Sequence, residues 1–173
     1  MELKDLRDDR EPFFICIGYP EHVYDSVAPR VGTMLKKAGY KVLGTMESPL
    51  HALNIKESEQ IINKYKSSFH VIALDAVITA NNYLYRIKKE PCKPGAGVKK
   101  ELPMIGESTI MINPFYGKNH TLLKRKTKVC FPFFQSQDLA SIEVISKNVF
   151  NDIRRIWRSD KNDSKVVCTD QNT

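Results

Sequence analysis

Asp25 and Asp75 are the residues whose type and setting best suit them to chemistry. Pro12-Phe13-Phe14-Ile15-Cys16-Ile17-Gly18 leads through a short polar stretch to Asp25, and Phe69-His70-Val71-Ile72-Ala73-Leu74 runs straight into Asp75. Two carboxylates held within a few ångströms of one another cannot both ionise cheaply, so one keeps a proton and can act as an acid while the other activates water. Attack on a peptide carbonyl needs both roles. Each acid also has a plain reading: Asp25 as an early-helix acid favoured by the helix dipole, Asp75 as a strand-end acid holding loop amides.

The elements that must position the pair can be read from the apolar pattern. Continuous apolar runs of strand length fit strands covered on both faces, and in an open parallel sheet ligands collect beyond the carboxyl ends of the strands. Val23 to Lys37 places Val27, Val31, Met34, Leu35 and Ala38 on one side of a helix that stops at Gly39. Tyr40 to Met46 reads as a second strand. Ser48-Pro49 then opens a crossing loop toward a helix capped by Asn54, with Ile55, Ile61, Ile62 and Tyr65 as its apolar side. Strand, helix, strand, helix, strand is the order of a doubly wound parallel sheet. The expected fold is therefore a three-layer α/β sandwich with a mainly parallel sheet, its Asp25 and Asp75 carboxylates about one side-chain length apart at the ends of neighbouring strands.

Past Asp75 the pattern changes. Tyr83 to Ile87 and Ser108 to Ile112 alternate as strands, with Lys88 to Gly106 between them too rich in Pro, Gly and Lys for regular structure. A further strand is expected within Leu122 to Phe134. Gln135 to Trp157 is the longest helical pattern, with Leu139, Ile142, Ile145, Val149, Ile153 and Ile156 at helical spacing. Residues 1–12 read as a flexible arm, 13–157 as one α/β domain and 158–173 as a disordered polar tail.

At 173 residues, with 42% hydrophobic and 27% charged residues, the chain suits one globular core. Neither a membrane-spanning run nor the apolar centre of a signal peptide is seen, so the expected location is the cytoplasm. Cys16, Cys92, Cys130 and Cys168 lie far apart, which favours neither a zinc site nor a disulfide framework. Residues 83–128 carry eleven Lys or Arg against three Glu, and this +8 exceeds the +7 of the whole chain. Such a face attracts an acidic protein. Few aromatic residues interleave Lys118, Lys124, Arg125, Lys126 and Lys128, which argues against nucleic acid.

Gly18, Asp25-Ser26 with Pro29 and Gly32, Gly44-Thr45, Ser48-Pro49-Leu50-His51-Ala52-Leu53-Asn54, Leu74-Asp75-Ala76 and Lys93-Pro94-Gly95-Ala96-Gly97-Val98-Lys99-Lys100-Glu101-Leu102-Pro103 together resemble the sporulation protein YyaC family. The match runs from about Phe13 to Gly117, and its His-Ala-Leu-Asn and Lys-Pro-Gly-Ala-Gly-Val stretches are specific. That family is related to the spore germination protease and, more distantly, to the hydrogenase maturation proteases. The resemblance implies a phosphorylase/hydrolase-like fold of the hydrogenase maturation type. It also implies an aspartate-dependent peptidase ancestry, with Asp25 and Asp75 where the germination protease pattern has its two functional aspartates. A forespore or mother-cell protein acting on small spore proteins is the implied setting.

His51, Asn54, Lys93, Gly95, Gly97 and Lys99 are the residues expected to meet a peptide substrate. The glycines let backbone pass close to it and the lysines hold acidic groups. Their plain reading is a loop ordered by His51 and a solvated turn kept soluble by lysine. Hydrogenase maturation relatives bind a metal through equivalent acids and a histidine, and His22 and His51 could approach Asp25. No metal-ligand spacing supports such a site, and no cofactor is expected. The chain departs from the family where Tyr24 replaces a Gly before the first aspartate, Pro20 an acid and Ala28 a second Gly, and Val77-Ile78-Thr79 stands in place of a Leu-Gly pair. Tyr resists the backbone conformations that Gly permits. The alternative is thus a non-cleaving, peptide-binding member.

Overall fold

The computed structural model describes residues 1–79, 81–95, 102–117 and 136–158. Strands β1 (Glu11–Cys16), β2 (Lys41–Leu43), β3 (Phe69–Ala76), β4 (Tyr85–Lys88) and β5 (Ser108–Ile112) form one sheet in the order β2-β1-β3-β5-β4. The pairings of β1 with β2, β1 with β3 and β3 with β5 are parallel, and β4 lies antiparallel on the outer side of β5. The two apolar runs that end near Asp25 and Asp75 are thus parallel neighbours, with Phe13 opposite Val71 and Cys16 opposite Leu74.

Both faces of the sheet are covered, which is why its central strands are apolar without interruption. Phe14, Cys16, Ile72, Leu74, Ile110 and Ile112 point to one side, where they meet α1 (Val27–Lys37) and α3 (Ser136–Trp157). Phe13, Ile15, Val71 and Ala73 point to the other, where they meet Ile55 and Ile62 of α2 (Ile55–Tyr65). Alternate residues of one strand therefore feed two separate cores. No helix among the described residues is long and apolar enough to cross a membrane.

Several boundaries differ from expectation. The first helix begins at Val27 rather than Val23, because residues 19–26 wind through turns in which His22 N–H donates to the Tyr19 carbonyl and Ser26 N–H to the His22 carbonyl. Ala38 and Ile61, expected on packed faces, are exposed. The second strand spans three residues, since the chain turns away at Gly44, whose φ is 91°. Residues 1–12 were expected to form a flexible arm, yet Leu3 and Leu6 of a 3-10 turn (Leu3–Leu6) are buried in the α3-side core. Charge hid these two anchors, which are too few to give a period. Asn54 occupies the N-cap position of α2, but its side chain makes no capping bond. The expected strand within Leu122–Phe134 and the tail beyond Arg158 lie outside the described residues.

Candidate functional site

The chain leaves β1 for α1 and β2 on one side, then returns to place β3 on the other side of β1. A reversal of this kind, at the carboxyl ends of β1 and β3, is the usual place for a ligand in such a sheet. Asp75 is the penultimate residue of β3, and Asp25 ends the loop that follows β1. Close backbone packing holds that loop down: Ile17 N–H donates to the Leu74 carbonyl at 2.8 Å and Gly18 N–H to the Leu50 carbonyl at 2.9 Å. A Cβ on Gly18 would collide with the Asp25 carbonyl oxygen, so only glycine lets the loop fold back this tightly.

The two carboxyls sit in different surroundings. Asp25 Oδ2 accepts a short bond from Tyr19 N–H, 2.6 Å, and the His22 and His51 rings add favourable charge when protonated. Burial nevertheless raises its proton affinity above that of an ordinary aspartate. Among the described residues, Asp75 accepts Ala76 N–H at Oδ1, 2.9 Å, and the Cys92 thiol at Oδ2, 3.7 Å. Burial, and then the charge of Asp25, push its pKa up to about 7. The charge of Asp25 thus bears on Asp75, and of the two acids Asp75 is the one held up to about 7.

His51 does what its plain reading required and more. Its backbone N–H donates to Asn54 Oδ1 at 2.8 Å, its carbonyl accepts from Asn54 and Ile55, and Asn54 Nδ2 donates to the Pro49 carbonyl at 2.9 Å. The pair thus orders the loop ahead of α2. The imidazole, meanwhile, accepts Leu53 N–H at Nδ1 and rests edge-on against Tyr19, ring centroids 5.2 Å apart. With Nδ1 accepting, the neutral ring carries its proton on Nε2. Lys93 is exposed and Gly95 half-buried, both just past Cys92, whereas Gly97 and Lys99 lie outside the described residues. Among the described residues, no three His, Cys, Asp or Glu side chains gather as a metal-holding group.

Two side chains meet partners that the sequence did not announce. Cys92 reaches Asp75 through the fold alone, because no spacing relates the two. Tyr24, the residue in place of glycine, stacks on Phe115 at 4.5 Å and is bonded to Asp138 at the start of α3. Its ring is held on the α3 side of the sheet, away from the α2-side core that contains Cys92.

A second polar cluster lies at the opposite ends of the same strands. Ser108 Oγ is 3.0 Å from His70 Nε2, and His70 Nδ1 is 3.6 Å from Asp8 Oδ2, an order that resembles a nucleophilic triad. Ser108 is only 3% exposed, so no substrate reaches its hydroxyl. The cluster instead ties the N-terminal segment to the sheet, with Arg10 donating to Asp8, Glu107 and the Lys66 and Phe69 carbonyls.

A five-stranded, mostly parallel sheet with helices on both faces defines an α/β protein, and Asp25 and Asp75 lie toward the carboxyl ends of its β1 and β3. The chain belongs to the family described as Protein of unknown function (DUF1256), which it matches over residues 2–131. It is also similar to "Uncharacterized protein YyaC" of Bacillus subtilis (strain 168), with 38% identity over 98 residues. That alignment covers 54% of this chain and 48% of the relative, so it spans about half the length of each.

Proposed function

We propose that the protein is an aspartate-dependent peptidase of the germination protease kind, built on the hydrogenase maturation version of the α/β fold and acting on small acidic proteins of the forespore or mother cell. The observation that carries this reading is the unequal pair: Asp75, pushed up to about 7 by burial and by the charge of Asp25, beside an Asp25 that takes a short bond from Tyr19 N–H and has the His22 and His51 rings near it. Asp25, as carboxylate, removes a proton from water while the water oxygen bonds to the peptide carbonyl carbon. Asp75, as acid, protonates the carbonyl oxygen as its π bond breaks. Collapse of the tetrahedral species expels the amine, which takes the proton held by Asp25, and Asp75 recovers its own. The cytoplasmic location belongs to the same proposal, as does the acidic partner, which the +8 of residues 83–128 supports.

The test is cleavage of small acidic proteins extracted from sporulating cells, read by mass spectrometry of the products. Asp25→Asn and Asp75→Asn should each lower the rate by at least about a hundredfold while the fold persists. Undiminished cleavage by either variant would sink the reading. A second reading, a binder that does not cleave, is favoured by Tyr24, whose stacked and bonded ring stiffens the loop that carries Asp25. It predicts capture of the same proteins, without products, by the wild type and by both variants.

A further inference from the structure

Cys92 stands where two separate constraints meet. Its backbone is paired twice with Ile105, N–H to carbonyl at 2.8 Å and carbonyl to N–H at 2.9 Å, in an isolated antiparallel bridge. Its side chain is buried in the α2-side core and ends 3.7 Å from Asp75 Oδ2. A thiol at such a place has two plausible uses, as a reactive group or as a hydrogen-bond donor. Reactivity requires the thiolate, and burial together with the neighbouring Asp75 raises the proton affinity of this sulfur far above that of a free cysteine. Cys92 therefore stays S–H, and what it offers Asp75 is a weak donor in a fixed position.

We propose that Cys92 is a positioning residue for Asp75, holding Oδ2 through its thiol and linking that oxygen to the backbone bridge with Ile105. The proposal rests on the reading of Asp25 and Asp75 as the working pair. The remaining donor on Asp75 is the amide of the next residue, which belongs to the strand and cannot be adjusted. The thiol is thus the one side-chain donor among its described hydrogen-bond partners. Because it favours the carboxylate, it moderates the proton affinity that burial and Asp25 impose. The titratable groups in play are Asp25 and Cys92 around Asp75, His22 and His51 around Asp25, and Lys88 near Cys92.

The decisive comparison is Cys92→Val against Cys92→Thr in the full chain, since these differ by a methyl and a hydroxyl of equal size. The Asp75 carboxyl titration is followed by carbon-13 NMR. The Val variant should titrate higher than the Thr variant by about half a unit, a factor of roughly 3 in proton affinity. Should the branched residues prevent folding, Cys92→Ala against Cys92→Ser poses the same question. Equal midpoints within a folded pair would overturn the proposal. A wild-type Asp75 that titrates as an ordinary aspartate would instead overturn the reading of the pair beneath it, so the two failures are distinguishable.

Discussion

The consequence of the acid pair for stability can be worked out residue by residue. Asp75 has its folded pKa raised from 3.8 to about 7, so between these values the folded chain binds a proton that the unfolded chain has released. Stability from this group is complete below pH 3.8 and is lost as pH rises through about 7. Asparagine stays neutral throughout. Asp75→Asn should therefore be more stable than wild type by on the order of 2 kcal/mol at pH 8, with the difference vanishing near pH 4, as denaturant titrations at the two pH values would check. An equal difference at both would mean that the carboxyl is not raised. The positions of both acids were legible in the sequence, Asp75 at the end of the apolar run of β3 and Asp25 in the loop that follows the apolar run of β1. Cys92 could not, since it meets Asp75 only once the Ile105 bridge is formed.

At the scale of elements, the sheet was legible because burial on both faces writes itself as unbroken hydrophobicity in β1 and β3. The entry to α1 was not. Val23 and Tyr24 continue the apolar spacing of the helix, but the carboxylate of Asp25 bonds back to Tyr19 and holds this stretch in turns. Where strand ends meet loops, backbone contact rather than side-chain packing decides the path. A Cβ on Gly44 would collide with the Cys16 carbonyl oxygen, and the residue holds φ at 91°. Gly44→Ala should destabilise the fold by about 2 kcal/mol or more, a fall in melting temperature readable by circular dichroism, whereas Gly39→Ala, with open space around its Cβ, should do less harm. Equal effects at both would place the penalty in φ alone.

For the molecule as a whole, the N-terminal segment is part of the packed body. Leu6→Ala should cost about 2–4 kcal/mol, as for other buried leucines, and an unchanged melting temperature would restore the flexible arm. His70, whose Nδ1 lies 3.6 Å from Asp8 of this segment, responds to acid in the opposite sense from Asp75. Burial lowers its pKa from 6.5, so as pH falls below 6.5 the unfolded chain takes up a proton that the fold resists, and stability declines. Asp8, Glu107 and Arg10 are the charges that face it. His70→Gln should flatten the loss of stability between pH 7 and 5, and an unaltered slope would assign that loss to other groups. Nothing in the sequence distinguished His70, because a histidine inside an apolar strand reads as core until its partners at the strand ends are placed. Among the described residues the sheet is bounded by β2, three residues long, and β4, four residues with exposed Arg86 and Lys88. Margins so brief and so cationic give a visiting chain little ladder to extend. A bound peptide would then be gripped by its side chains rather than by its main chain, and its selection would depend on amino-acid identity more than on extended shape.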